Sequence, residues 1–320
     1  MSTTSLNLQN HENANNEYLS GLELLQTSCI KCRCNPSYLD AIPYFKKASE
    51  LYHGCGLFDK EVLARQKLVK CFNNEKSFWE EGNEYEKISK LQLIQLNKVE
   101  EAHNSIINSF HAYASNRTYE DGIKALSKSS NDFVDTNHKN EAIKILEFAF
   151  IGIDKYYHIL TLNKEESHHY IYECLDKYID LLFGEEDYEK SAEICHKISK
   201  LIEKEQKDEK TLICKYYGFQ AISELLNNKE QNYKKAIEEG QKYEINDNNF
   251  CSKIERLVNV VNQHSPENEK LIKSLFGEIS RRVPASMVKF INQRFIQINS
   301  VKSNDSNEIK TDLSEEEDLK

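Results

Sequence analysis

The segment Tyr38-Leu-Asp-Ala-Ile-Pro-Tyr-Phe-Lys-Lys-Ala-Ser-Glu-Leu-Tyr52 decides the fold class of this chain. Its apolar and small residues recur at intervals of three and four, which is the period of one face of an α-helix. That face consists of Tyr38, Ala41, Ile42, Phe45, Ala48 and Tyr52. The same offsets recur in segments that begin at Tyr119 and Tyr188, and in part in a segment that begins at Tyr233. One helical packing unit is therefore repeated along the chain.

The composition favours long helices joined by short polar links. Only 10 Gly and 4 Pro occur in 320 residues, too few for the many turns of a β-protein. The positions of Tyr38, Phe78 and Tyr119 indicate a period of about 40 residues, which falls in the range of helical-pair repeats. These patterns predict an all-α fold, a superhelical array of about 14 helices in antiparallel pairs, or TPR-like α-solenoid.

Composition also predicts three regions. Residues 1–12 are polar and are predicted to be disordered. Residues 13–300 are predicted to form the solenoid, ending in a helical bundle that caps it. Residues 301–320 are rich in carboxylates and end in Glu-Glu-Glu-Asp-Leu-Lys, which predicts a disordered acidic tail.

Local signals predict where several helices begin and end. A first helix is predicted over residues 13–29, and Asp59 is predicted to cap a helix over residues 60–72. Pro43 lies inside a helical pattern, so that helix is either kinked or begins near Ile42. Residues 78–94 read as one helix, residues 265–267 as a helix start, and residues 285–300 as the last helix.

Charge and cysteine content limit the classes of partner and compartment. The net charge of −10 argues against a nucleic-acid partner, because phosphate binding needs an excess of basic residues. The nine cysteines are an odd number and residues 1–16 lack an apolar secretory core, which favours reduced thiols in the cytosol. Residues 142–160 are the most apolar segment, but Lys144, Glu147 and Asp154 interrupt it, so no membrane span is predicted.

No sequence motif indicates catalysis, so the chain is predicted not to be an enzyme and to need no cofactor. Cys29, Cys32 and Cys34 are close enough to bind zinc, with His53 and Cys55 as further candidates. A second matching cysteine pair is lacking, however, so unpaired thiols in a connector are favoured over a metal site. A loop that faces a membrane or carries a lipid is the third interpretation.

The order of helices, the repeated Tyr-x-x-Ala-Ile type of unit and the ending Glu-Glu-Glu-Asp-Leu-Lys resemble the soluble NSF attachment proteins, or SNAPs. The resemblance covers residues 18–320. Gly21-Leu-Glu-Leu-Leu and the Tyr38 segment resemble the γ branch most, whereas Glu278-Ile-Ser-Arg-Arg and the short tail resemble the α branch. The γ branch is favoured.

The resemblance implies a non-enzymatic adaptor that binds a syntaxin-type SNARE four-helix bundle. Such adaptors recruit and stimulate the NSF-type AAA+ ATPase, which disassembles the bundle after membrane fusion. It also implies a cytoplasmic protein peripherally associated with the membranes of the Golgi, ER, vesicles and vacuole.

The resemblance also assigns roles to individual residues. Leu319 matches the penultimate leucine that stimulates ATP hydrolysis, and the acids before it would meet basic patches on the ATPase. Lys144 and Lys177 fall where the family offers basic residues to the SNARE bundle, although each is equally interpreted as a solvated face residue. The acids are Glu315, Glu316, Glu317 and Asp318.

Residues 29–34 fall where family members carry an apolar loop that touches the membrane. This chain instead has Cys29, Ile30, Lys31, Cys32, Arg33 and Cys34. Weak membrane contact is therefore expected unless the cysteines are acylated. The alternative to the adaptor is a TPR-type co-chaperone or other helical-repeat scaffold that binds acidic peptide tails. It requires a clamp of Lys, Asn and Arg side chains on adjacent helices.

Overall fold

The structure is a computed structural model that describes residues 3–27, 35–162, 168–245, 249–263 and 268–293, with side chains from residue 8 onward. Within these ranges the chain forms helices and no β-strand, which confirms the all-α prediction. The helices are α1 (Thr3–Leu25), α2 (Tyr38–Gly54), α3 (Phe58–Asn74), α4 (Phe78–Lys90), a π-helical turn (Leu91–Gln95), α5 (Val99–Ser115), α6 (Tyr119–Asp135), α7 (Lys139–Leu160), α8 (His169–Gly184), α9 (Tyr188–Glu205), α10 (Lys210–Leu226), α11 (Glu230–Gln241), α12 (Phe250–Gln263), α13 (Glu269–Ser280) and α14 (residues 285–293).

The chain divides into two compact units, Met1–Leu175 and Asp176–Lys320, with the boundary inside α8. In the first unit each helix from α1 to α7 packs against the next one, and α4 and α5 also contact α6 and α7, respectively. This order is that of helical pairs stacked in sequence. In the described part of the second unit, α9 to α13 likewise pack in consecutive order.

Seven of the described connections between helices repeat the same turn. One residue of each of these seven has a positive φ, and these residues are Gly56, Lys76, Asn97, Arg117, Asn137, Glu186 and Asn228. In six of them the next N–H donates to a carbonyl five residues earlier, as from Leu57 to Tyr52 at 2.9 Å and from Thr118 to Tyr113 at 3.0 Å; Lys98 instead donates to Gln92, six residues earlier. These six are Schellman endings, in which a residue other than glycine costs about 1 kcal/mol.

The π-helical turn Leu91–Gln95 accommodates one extra residue in the repeat. Helix α4 begins at Phe78 and α5 at Val99, one residue more than the spacing of 20 between the starts of α3 and α4. The N–H of Leu96 donates to the carbonyl of Leu91, five residues earlier, at 3.1 Å. A single wide turn of this kind keeps the helix continuous across an insertion. The predicted helix over residues 78–94 therefore exists, but its last turn is π-helical.

The repeated face is the core, as its periodicity predicts. Most members of this face on α2, α6, α9 and α11 are buried. The exceptions are half-buried, and they are Tyr38, Ile42, Tyr119, Tyr188 and Tyr243, the last of which follows the end of α11. The small residue that follows the opening aromatic provides space for a neighbour. A Cβ on Gly122 would lie 2.8 Å from Cδ2 of Phe110, which shows how closely α5 and α6 approach.

The predicted disorder of residues 1–12 is wrong for residues 3–12, which belong to α1. The helix extends this far because residues 3–20 contain no glycine or proline and because its second half is anchored on the next helices. Ala14 is fully buried, and Tyr52 donates a hydrogen bond to Asn15 Oδ1 at 2.9 Å. Helix α1 ends at Leu25 rather than near residue 29.

Two further local predictions can be compared with the structure. Helix α2 begins at Tyr38 and contains Pro43 in its second turn, which excludes a start near Ile42. Asp59 does not cap α3, because the helix begins at Phe58 and its N-cap is Leu57. The carboxylate of Asp59 instead pairs with Lys98 at 2.9 Å. Residues 265–267 lie outside the described residues.

The start of α14 is held by α8 within the second unit. The N–H of Ser286 donates to Asp180 Oδ1 at 2.9 Å, and the hydroxyl of Ser286 donates to the Asp180 carbonyl at 2.8 Å. Phe290 meets the ring of Tyr188 edge-on, and Met287 is fully buried. The predicted last helix is therefore present as far as the described residues extend.

Candidate functional site

A polar groove in the first unit is bounded by α2 and by α4 with its π-helical turn, and α3 lies between them. It consists of two adjoining cavities of about 340 and 480 Å³, which share Glu50, Arg65 and Lys87. Because three successive helices contribute, the groove is a direct product of the helical-pair packing. We call it the α2–α4 groove.

A chain of charges runs along the α2–α4 groove from one wall to the other. Arg65 on α3 donates to Glu61 Oε1 at 2.7 Å and to Glu84 Oε2 at 2.8 Å. Lys87 Nζ lies 2.6 Å from the other oxygen of Glu84, and His53 Nδ1 lies 2.8 Å from Glu61 Oε2. The two carboxylates are buried, with 1% and 6% of their side chains exposed. Their desolvation makes these pairs structural links between α2, α3 and α4.

Arg65 on α3 and Glu81 on α4 are among the groups with shifted pKa values. Burial lowers the pKa of Arg65, but the carboxylates of Glu84 and Glu61 outweigh it, so the net shift is upward. Burial raises the pKa of Glu81 on α4, and two hydrogen bonds from Asn73 Nδ2 at 3.0 and 3.1 Å only partly oppose it. The surroundings therefore favour the charged form of Arg65, whereas burial disfavours the charged form of Glu81.

Trp79 is the single tryptophan of the chain and lies at the rim of the α2–α4 groove. The residue is 43% exposed, and its Nε1 donates to Asp121 Oδ2 at 3.1 Å. Its ring also meets that of Tyr113 edge-on, with centroids 6.5 Å apart. A large aromatic surface is thus held rigidly beside charged groups, an arrangement suited to contact with a partner.

The α2–α4 groove lacks the arrangement that nucleophilic catalysis requires. Its one hydroxyl group, that of Ser49, donates to the backbone carbonyl of Lys46 at 2.8 Å and not to a base. Arg65 and Lys87 are neutralised by Glu61 and Glu84. The groove therefore offers a shaped, charge-balanced surface.

The second unit contains an apolar cavity and a group of metal-ligand types. The cavity has a volume of about 150 Å³, and α10, α12, α13 and α14 line it with residues such as Leu226, Leu257 and Ile291. Separately, the side chains of Cys214, Glu244 and Cys251 converge, with ligand atoms within 4.8 Å of one another. Because Cys214 and Cys251 lie on different helices, 37 residues apart, no short motif signals their proximity.

Lys144 and Lys177, the two basic residues that are predicted to face a partner, lie in different units. Lys144 lies on α7 of the first unit, where 64% of its side chain is exposed and its Nζ lies 3.8 Å from Glu141 Oε1. Lys177 lies on α8 and is half-buried, in the second unit. The exposed position of Lys144 leaves its charge accessible.

The other predicted site residues lie outside the described residues. They are Cys29, Ile30, Lys31, Cys32, Arg33 and Cys34 of the predicted loop, and Glu315, Glu316, Glu317, Asp318 and Leu319 of the predicted tail. His53 and Cys55, the further candidates for zinc, are described. His53 is engaged by Glu61, as noted above, and Cys55 is partly buried at the end of α2. Among the helices that the structure describes, none is both long and apolar enough to cross a membrane.

Comparison of the sequence with models of known protein families and with curated proteins found no match.

Proposed function

We propose that this chain is a non-enzymatic adaptor of the soluble NSF attachment protein type. The γ branch of that family is favoured, and the α branch is the second choice. In this role it binds syntaxin-type SNARE complexes, recruits the NSF-type AAA+ ATPase and stimulates the hydrolysis that disassembles them. The observation that carries the proposal is the regular helix–turn repeat from α2 to α7 in a chain that also contains four consecutive carboxylates, residues 315–318, directly before Leu319.

The repeat supports the finer description of a TPR-like solenoid. Pairs of helices recur at about 40 residues, and the same Schellman ending closes most of them. Each pair buries its apolar face only against its neighbours, so the opposite faces remain available along the array. An elongated partner such as a four-helix bundle can be contacted over many such faces.

Charge supports the assignment of Lys144 to the partner surface. Its ammonium group is exposed, and its carboxylate neighbour Glu141 is at 3.8 Å, a separation that leaves the pair weak in solvent. Exposed lysines of this kind raise the rate of association with an acidic rod. Lys177 is proposed for the same role on the basis of the family resemblance alone.

The remaining elements of the proposal rest on the sequence. The loop of residues 29–34 provides weak contact with a membrane surface, and the carboxylates of residues 315–318 meet basic patches of the ATPase with Leu319 as the stimulating residue. Peripheral association with the membranes of the secretory pathway and the vacuole follows from these contacts. A nucleic-acid partner is not proposed.

The co-chaperone alternative is disfavoured by the charges of the α2–α4 groove. Lys46, Arg65, Asn83 and Lys87 line it, which are the residue types of a carboxylate clamp. Arg65 and Lys87 are already paired with buried carboxylates of the same chain, however, so they have little capacity to bind a peptide carboxylate. The remaining candidates do not form a compact clamp, because Lys46 and Asn83 line one cavity of the groove and Lys90 lines the other.

Co-sedimentation with a preassembled SNARE complex and the ATPase tests the proposal. The full chain should bring the ATPase into the pellet only when the SNARE complex is present, and removal of residues 301–320 should abolish ATPase recruitment but not SNARE binding. Lys144→Glu should weaken SNARE binding, most clearly at low salt, and Lys144→Arg should restore it. A full chain that binds neither partner, or that instead captures a chaperone with an acidic C-terminus, would refute the adaptor role.

A further inference from the structure

Three side chains of metal-ligand type meet in the second unit, where the proposed adaptor function makes no use of them. Cys214 lies on α10, Glu244 follows α11, and Cys251 lies in the first turn of α12. Both thiols are fully buried and the carboxylate is partly buried. Three separate segments therefore converge on one point inside the unit.

The separation of the two sulfur atoms fits a shared metal ion. Cys214 Sγ and Cys251 Sγ are 3.7 Å apart. Two thiolates that bind one tetrahedral zinc ion at about 2.3 Å each are separated by about 3.8 Å. A carboxylate oxygen of Glu244 lies within 4.8 Å of both sulfurs. Thiolates with a carboxylate favour Zn²⁺ over Mg²⁺ or Ca²⁺, which prefer oxygen ligands.

The two thiols already face one another, because the thiol of Cys214 donates a hydrogen bond to Cys251 Sγ. Zinc binds the thiolate form of cysteine, so both thiols release their protons as the ion binds.

Polar groups around the cluster are placed to support a metal ion. The N–H and hydroxyl of Ser252 donate to the two oxygens of Glu244 at 2.7 and 2.6 Å, which orients the carboxylate and leaves further lone pairs free.

We propose that Cys214, Cys251 and Glu244 form a structural Zn²⁺ site that joins α10, the segment after α11 and α12, with water in the fourth position. The ion binds as the two thiols lose their protons, with no change of oxidation state. Its role is to stabilise the second unit, since binding free energy at a site formed only in the folded state is also folding free energy.

Cobalt substitution of the reduced full chain tests the site. Because Cys29, Cys32 and Cys34 could bind metal independently, all three are first replaced by serine. One equivalent of Co²⁺ should then give thiolate-to-cobalt charge-transfer bands and the intense visible bands of a tetrahedral site, and Zn²⁺ should remove both. Cys214→Ser and Cys251→Ser should abolish the bands, and Glu244→Gln should weaken cobalt binding about tenfold or more.

The matched control is Cys195→Ser on α9, because Cys195 is equally buried but lies outside the cluster. It should leave the cobalt spectrum unchanged. If the Cys214 and Cys251 variants fail to fold, the thermal transition of the triple-serine protein decides instead, because Zn²⁺ should raise its Tm and a chelator should reverse the rise. Absence of the bands, bands that survive loss of both buried thiols, or a Tm that Zn²⁺ leaves unchanged would overturn the proposal.

Discussion

Arg65 Nη1 on α3 donates to Glu84 Oε2 on α4 at 2.8 Å, and the same guanidinium holds Glu61 one turn earlier on its own helix. The two helices are consecutive members of the repeat, so the contact fixes the angle at which one packs on the other. Only 15% of the Arg65 side chain is exposed. Replacing it leaves two buried carboxylates without their main partner.

We therefore expect Arg65→Met to destabilise the first unit by about 3 kcal/mol, the usual cost of uncompensated buried charge. Urea denaturation followed by the fluorescence of Trp79 measures the change, because this tryptophan lies in the same unit. Lys70→Met on the same helix is the control, since Lys70 is exposed and should change stability by about 0.5 kcal/mol or less. Equal effects of the two substitutions would show that the ion pairs do not hold α3 to α4.

Glu81 makes the stability of the first unit depend on pH. Burial raises its pKa in the folded protein, so the folded state binds the proton more tightly than the unfolded chain does. Stability consequently falls as the pH rises from the unfolded-state pKa through the folded-state pKa, and stays lower above it. Glu81→Gln removes the charge and can still accept a hydrogen bond from Asn73.

We expect Glu81→Gln to be more stable than the original protein at pH 7, and this advantage to shrink as the pH falls to values at which the carboxyl is protonated in both states. Urea midpoints measured across the pH range give the comparison. Glu80→Gln, at the exposed neighbouring position, should show no such pH-dependent gain. A glutamine variant that is less stable at pH 7 would mean that Asn73 fully compensates the charge.

Gly122 tests the close packing of the repeat. A Cβ there would lie 2.8 Å from the ring of Phe110, which is itself buried between helices. Gly122→Ala should destabilise the first unit by about 1–3 kcal/mol through overpacking, in spite of the better helix propensity of alanine. Gly54→Ala is the control, because nothing lies within 4 Å of its added methyl group, and it should be neutral or slightly stabilising. Thermal unfolding of both variants measures the difference, and a stabilised Gly122→Ala would show that α5 and α6 can separate at little cost.

The fold class and the core were predictable from the sequence because helical periodicity is a local signal. The face through Tyr38, Ala41 and Phe45 is read from spacing alone, and burial of Ala41 and Phe45 confirms it. Turn positions were less predictable, because Lys76 and Arg117 adopt positive φ without being turn-forming residues. Their conformation is imposed by the short connection between two packed helices, which sequence propensity does not record.

The groove and the thiol cluster could not be predicted because they join residues far apart in sequence. Arg65 and Glu84 are 19 residues apart and Cys214 and Cys251 are 37 apart, and neither pair belongs to a motif with fixed spacing. Asp59 shows a local signal that misled the prediction. Its position in the sequence fits a helix cap, but in the structure its carboxylate pairs with Lys98 instead. Tertiary contacts thus decide which polar residues act as caps, links or ligands.

Residues 301–320 contain two leucines, Leu313 and Leu319. Replacing each in turn distinguishes a specific role of Leu319 from a general effect of apolar side chains in this segment. Leu319→Ala should lower stimulation of ATP hydrolysis in a reconstituted disassembly assay while co-sedimentation with the SNARE complex is retained, because binding is assigned to the helical array. Leu313→Ala is the matched control, since it removes the same side chain from the same acidic segment and should leave stimulation intact. Full stimulation by Leu319→Ala, or an equal loss with Leu313→Ala, would contradict the role given to Leu319. Loss of SNARE binding in either variant would instead show that the tail belongs to the binding surface.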